Sequence, residues 1–178
     1  MAVISSNALT GITTRMVDAS MSAGSIIQVV STTKTDAWSQ TTSGSNLYDA
    51  ISLNITTSGA SNKVLVTCHF TGDCGGNYNA IGAVLRRGTN TLYIGDARGN
   101  RARAGCQVGL SSDDIRTEVS SLQFLDTPGS AATHTYHLSV FDGDENGGIV
   151  YINMARNDSD ASHYITTAST LTAMEVAA

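Results

Sequence analysis

From Ile26 onward the chain is written largely in period two. Leu47, Asp49, Ile51, Leu53 and Ile55 alternate with Tyr48, Ala50, Ser52 and Asn54, the spacing that sends successive side chains to opposite faces of a strand. The turn-forming run Thr56 to Asn62 separates this segment from a second strand, Lys63-Val64-Leu65-Val66-Thr67-Cys68-His69-Phe70, and Gly72 to Asn77 reads as the next turn. Tyr78 to Leu85 and Thr91 to Ile94 flank Arg86-Arg87-Gly88-Thr89-Asn90 as a hairpin. Further strands are predicted at Ile26 to Asp36, Thr117 to Leu125, Thr133 to Phe141, Gly148 to Met154 and Ser169 to Ala178, with Gly95 to Asp114 as the longest irregular stretch. Some eight or nine short strands without a convincing helix imply an all-β fold, an antiparallel β-sandwich of jelly-roll-like type.

The first 25 residues follow no such pattern. Leu9, Ile12 and Met16 stand at helical spacing, but Gly11 and the pair Thr13-Thr14 weaken any helix. Such a segment is marginal alone, so its apolar side chains need a partner surface. The expected organisation is therefore an arm, residues 1–25, for docking or trimerisation, followed by one sandwich module, residues 26–178.

Composition sharpens this picture. The 178 residues suffice for one domain that buries about 70% of its unfolded surface. Charged residues make up only 14% of the chain, against about 25% in an average soluble domain. Ser, Thr, Asn and Gly fill the gap, a surface suited to meeting other protein surfaces. A net charge of −5 argues against nucleic acid as a partner, because phosphate binding needs a positive footprint. No apolar stretch approaches a membrane span, and the N-terminus lacks the basic and apolar regions of a signal peptide. The three cysteines are expected to be reduced and mostly buried, and the Cys68-x5-Cys74 spacing is wide for a zinc site.

Few residues call for chemistry. Asp142, Asp144, Asn146 and Gly147 match the opening positions of a calcium-binding loop, but position twelve is Asn153 rather than Glu. These residues are a weak metal candidate, better read as an acidic turn. His134 and His137, three apart on a strand, point to opposite faces and cannot share an ion. Arg98, Arg101 and Arg103 form a basic stretch suited to an anionic ligand, or to pairing with Asp113, Asp114 or a neighbouring subunit. No Gly-x-Ser-x-Gly elbow marks a nucleophile among the many serines. The expectation is a non-enzymatic protein with no catalytic residue, no cofactor and no resident metal.

Five segments in order resemble a β-module of structural proteins from tailed bacteriophages of cyanobacteria and marine bacteria. They are Ile27 to Asp36, Ser61 to Val66, Leu85 to Thr89, Phe124 to Gly129 and Thr172 to Ala178, and they span nearly everything after Ile26. The resemblance implies a virion protein of the kind called tail fibre or capsid decoration protein, and a homotrimer. In fibres the module ends a long chain, whereas only 25 residues precede it here, which favours a cement protein on the head surface with the major capsid protein as partner. The alternative it implies is a fibre tip whose loops bind a host cell-surface glycan. Loops around Gly95 to Arg103 and Asn157 to Asp160 would then carry recognition, with Trp38, Tyr78 or Tyr93 as stacking partners.

Overall fold

The structure is a computed structural model that describes residues 21–44, 46–75, 80–108, 116–143 and 148–178. The arm residues Leu9, Ile12 and Met16 lie outside the described residues. Eleven strands are present among those described: β1 (Ile26–Lys34), β2 (Trp38–Thr41), β3 (Tyr48–Thr56), β4 (Lys63–Gly75), β5 (Ile81–Arg87), β6 (Asn90–Tyr93), β7 (Cys106–Val108), β8 (Glu118–Asp126), β9 (Thr133–Asp142), β10 (Ile149–Ile152) and β11 (Ser169–Val176).

They form two antiparallel sheets packed as a sandwich. In the first, β4 is central: β8 runs along one of its edges, and β11 and β10 lie end to end along the other. β1 then pairs β11, and β2 pairs β10. In the second sheet β9 lies between β3 and β5, and the far edge of β5 is shared by β6 and β7. Joining the end-to-end pieces leaves four strand positions per sheet, in chain order 1-8-3-6 and 2-7-4-5. That is the strand order of a jelly roll, an architecture of two nested Greek keys. The all-β sandwich expected from the periodicity is therefore the observed fold.

Local departures have physical causes. β4 does not turn at Gly72 but runs on to Gly75, because the glycine lets β10 pair closely; a Cβ at Gly72 would lie 2.8 Å from the Tyr151 carbonyl oxygen. β2 and β7 are too short to show periodicity, and each owes its order to pairing, β2 with the equally short β10 and β7 with the longer β5. Gly24 and Ser25 already belong to the folded module, since Gly24 N–H donates to Ala177 O and Ala177 N–H to Ser25 O, both at 2.9 Å.

The interior is filled from both sheets. Val64, Val66, Phe70, Leu122 and Leu171 of the first face Ile55, Ile81, Leu85, Leu138 and Val140 of the second, all essentially inaccessible. Two carboxylates lie buried on the inner face of the first sheet. In register across the first sheet, Gln28 stands opposite Glu175, Glu175 opposite Val64, and Val64 opposite Asp126.

Glu175 is fully buried, and donors from two other segments converge on it. Gln28 Nε2 donates to one carboxylate oxygen at 2.6 Å. Ser58 N–H, Ser58 Oγ and Asn62 Nδ2 donate to the other at 2.6, 2.8 and 2.8 Å. Burial pushes this carboxyl up, but the bonds from Gln28, Asn62 and Ser58 outweigh it and hold the group below its ordinary value. At the other end of the row, Asp126 accepts from Arg87 Nη1 at 2.6 Å and from Tyr136 Oη at 2.7 Å, clamping the two sheets together. Burial, followed by that bond to Asp126, raises the Tyr136 phenol.

A depressed carboxyl stabilises the fold at pH values above its unfolded pKa of about 4.3, and that contribution is lost as pH falls through the folded value. Glu175→Gln removes the charge and turns a donor toward other donors, so it should cost about 2 kcal/mol or more at pH 7. Thermal unfolding followed by circular dichroism should show this loss, and the difference between variant and wild type should shrink on acidification below pH 4.

Candidate functional site

The split between β10 and β11 creates the most distinctive local structure. β11 resumes along β4 where β10 stops, so residues 153–168 form an excursion that leaves and re-enters the sheet at one place. Asn153 is the pivot. It is fully buried and is the one described non-glycine residue with positive φ, at 64°, a conformation that asparagine tolerates better than most residues.

Its side chain uses all its capacity. Asn153 Nδ2 donates to Lys34 O at 2.9 Å and to Asp36 O at 3.1 Å, bridging the break between β1 and β2. Oδ1 accepts from Ser169 Oγ at 2.6 Å and from Thr71 Oγ1 at 3.4 Å. Its backbone joins both ends of the loop: Asn153 N–H donates to Thr71 O, and Thr167 N–H donates to Asn153 O, each at 3.1 Å. Thr71 and Thr167 hydroxyls complete the closure.

The loop folds back over the outer face of the first sheet. Thr71 and Asp73 of β4 alternate with the core-facing positions, yet both are buried. Arg156 N–H reaches Asp73 Oδ2 at 2.9 Å, fixing the loop over that carboxylate. Within the loop, turns from Ala161 to Ser159 and from Tyr164 to Ala161, and a 3.0 Å bond from Asn157 Nδ2 to Tyr164 Oη, set its shape. A hollow of about 270 Å³ results, lined by Ala155, Asn157, Asp158, Asp160, Tyr164 and Ile165 among others. Asp158 and Asp160 are exposed and make no bond to a described residue. The His163 and Tyr164 rings meet at 4.5 Å.

The two loops expected to act in recognition thus differ. Asn157 to Asp160 borders a concave site, whereas Gly95 to Arg103 folds on itself, with Arg103 Nε donating to Gly95 O at 2.6 Å and Gly95 N–H to Ala104 O at 2.9 Å. The Arg98 and Arg101 side chains are exposed and make no bond to a described residue, while Arg101 N–H donates to Arg98 O at 3.4 Å; Asp113 and Asp114 lie outside the described residues. Arg86 and Arg87 pair within the chain, with Asp49 at 3.1 Å and Asp126 at 2.6 Å. Trp38 packs against the core, and Tyr93 is exposed beside Phe124. Tyr78 lies outside the described residues.

Asp142 ends β9 fully buried, and Asp144 and Asn146 lie outside the described residues. Among the described residues no three His, Cys, Asp or Glu side chains gather as a metal site would need. None of the three cysteines forms a disulfide among the described residues. Burial pushes the Cys68 thiol up to about 12 and Cys74 to about 11, the opposite of what a reactive thiolate needs. His134 Nε2 lies 3.1 Å from Ser130 O, while His137 sits on the outer face of the second sheet.

Around His137 stands a Ser/His/Asp set that sequence reasoning did not single out. Ser52 Oγ lies 2.7 Å from His137 Nδ1, and Asp49 Oδ2 lies 3.4 Å from the same nitrogen. A proton relay needs serine and carboxylate on opposite ring nitrogens, so this set does not have the geometry of a triad. Asp49 is instead tied to Arg86 and, at 2.5 Å, to Ser139 Oγ.

No protein-family model matches the chain, and no curated protein does. Among solved structures, the infectious bursal disease virus VP2 subviral particle aligns over 85% of this chain and 38% of that one, with 13% identity and a TM-score of 0.41. The structure of the Gx strain of that virus aligns over 85% and 36%, with 12% identity and the same score. The chain spans well under half the length of those proteins. Strand order, rather than these superpositions, identifies the jelly roll.

Asn153→Ala would strand the donors and acceptors it now satisfies and place alanine at an unfavourable φ. The expected cost is about 3 kcal/mol. Hydrogen-exchange mass spectrometry should show peptides spanning residues 154–168 opening faster, while those from β9 keep most of their protection.

Proposed function

We propose that this chain is a bacteriophage virion structural protein, a homotrimeric decoration or cement protein of the head surface. The observation that carries this reading is how the five phage-like segments meet in space. Gln28, Asn62 and Glu175 come from the first, second and fifth of them, and they form one buried node. Arg87 and Asp126 come from the third and fourth, and they form the other. The segments therefore work as one structural unit, and the resemblance rests on the determinants of a jelly-roll fold. A low content of charge suits a module whose surface is largely occupied by neighbours. In this reading Leu9, Ile12 and Met16 dock the arm on the major capsid protein or on sister subunits, and the sandwich adds contacts across capsomer joints.

The hollow in the loop of residues 153–168 favours a second reading, a tail- or head-fibre tip that binds a host surface glycan. Carboxylates without partners among the described residues can accept hydrogen bonds from neutral sugar hydroxyls, and the Tyr164 ring offers a face for stacking.

Quantitative mass spectrometry of purified particles separates the two. A cement protein should be present in hundreds of copies per particle, and a fibre tip in a few tens at most. On a glycan array, the fibre reading requires a signal that falls at least tenfold in Asp160→Ala. No binding to any glycan would sink it.

A further inference from the structure

Among the described residues, the outer face of the first sheet is covered over only half its length. The excursion at residues 153–168 lies over Thr71 and Asp73, at one end of β4. Toward the other end no described residue covers the face, and the pairing register shows what it carries. Val29 of β1 stands opposite Met174 of β11, Met174 opposite Leu65 of β4, and Leu65 opposite Leu125 of β8. Four apolar side chains from four separate segments thus make one row across the whole sheet, with Val29 56% and Leu125 47% exposed.

The next rows are of another kind. Ser31, Thr172, Thr67 and Gln123 align across the same strands, followed by Thr33, Thr170, His69 and Ser121. Hydroxyl pairs join β1 to β11 in both rows, Ser31 to Thr172 at 2.8 Å and Thr33 to Thr170 at 3.2 Å. No carboxylate occurs in these three rows. In a chain with 15 acidic residues and a net charge of −5, this is a region without negative charge.

We infer that this bare half-face is where a second copy of the chain packs. The inference rests on the homo-oligomeric reading above and names the surface that reading leaves open. Three features favour a copy of this chain as the occupant. Two acidic copies repel wherever carboxylates meet, and here they do not meet. Hydroxyl and amide groups both donate and accept, so rows of Ser, Thr and Gln can bond to their own image, as an acidic or basic face cannot. The face also ends on two edge strands, β1 and β8, each paired on one side only among the described residues. An apolar row running out to open edges is the arrangement that natural sheets cover or blunt.

The dimensions agree. Four strands about 4.8 Å apart and some seven residues long give a projected area on the order of 450 Å². A standard interface buries about 800 Å² per partner, so the face supplies more than half and the flanking edges can supply the rest.

The test is the mass of the intact protein in solution, by native mass spectrometry and light scattering. Wild type should be an oligomer of the 18.5 kDa chain. Leu65→Lys, at the centre of the apolar row, should reduce it to single chains, as should Thr172→Arg, which alters an outward hydroxyl and leaves the core untouched. Asn54→Lys, exposed on the outer face of the second sheet, should leave the mass unchanged. Circular dichroism establishes that each variant is folded. A maleimide-reactive thiol at Gln123→Cys should label at least tenfold more slowly in the oligomer than when combined with Leu65→Lys. Folded Leu65→Lys and Thr172→Arg proteins that keep the wild-type mass would overturn this face while leaving the oligomer intact. A wild type that stays a single chain at all concentrations would overturn the oligomeric reading together with the face, and the particle copy number would still decide the virion assignment.

Discussion

A carboxylate that must stay charged without a cation is the constraint on which the first sheet depends. Glu175 is buried and held anionic by hydrogen bonds alone, from Gln28, Ser58 and Asn62. Such a group is tolerated only while every donor is in place, because an unmet buried charge costs several kcal/mol. Gln28 must therefore stand opposite Glu175, and the irregularity in β1 between Ile26 and Gln28 accommodates that fit. Once this pair is set, the neighbouring positions follow, and Val29 falls opposite Met174 in the outer row. A slip of one residue would exchange the faces of a whole strand. In β11 such a slip would bring Met174 and Val176 inward but send Leu171, Ala173 and Glu175 out, an exchange that leaves apolar burial nearly balanced. The hydrogen-bond node, rather than hydrophobicity, decides which face of β11 is the core face.

That explains what the sequence could and could not reveal. Period two exposed most of the long strands and hence the sandwich, because in β3, and in the first half of β4 apart from Leu65, the large apolar residues do point inward. It was silent on β2 and β7, which span four and three residues and owe their order to pairing with distant segments. It also gave no sign that β10 and β11 are two parts of one strand position, since the excursion between them separates residues that adjoin in space. Asn153 stood out only as the wrong residue at position twelve of a failed calcium loop. Its real part, joining two strand breaks from a positive φ, depends on Lys34, Thr71 and Ser169, which no local pattern connects to it. An asparagine directly after a short apolar run, followed by a long polar segment, was the one available hint.

The resemblance to phage modules acquires a physical content in the same way. Short similar segments scattered over a chain carry little weight when each is judged alone. Here they contain the donors and acceptors of two nodes that lie in one transverse row, Gln28, Glu175, Val64 and Asp126. Segments that satisfy one another's buried charges cannot drift independently without loss of stability. They therefore report on the fold, and the residues that would distinguish a cement protein from a fibre tip must be sought elsewhere. Those candidates are on the outer rows and in the loop of residues 153–168, which the nodes position but do not constrain chemically.

Assembly and recognition make different demands on these two regions, and the sheet keeps them apart. The loop is pinned at its base by buried bonds to β4 and occupies one half of the outer face. The bare rows occupy the other half, and His69, Thr33 and Thr170 form the boundary. Copies that pack through the bare half would bring their loops to the rim of the contact, still open to solvent. The hollow lined by Asp158, Asp160 and Tyr164 would then be repeated around the assembly's axis. Weak sites gain from such repetition, because a second contact on the same surface forms at high effective concentration. A jelly roll divided in this manner can pack against its neighbours without giving up the polar loop that faces outward.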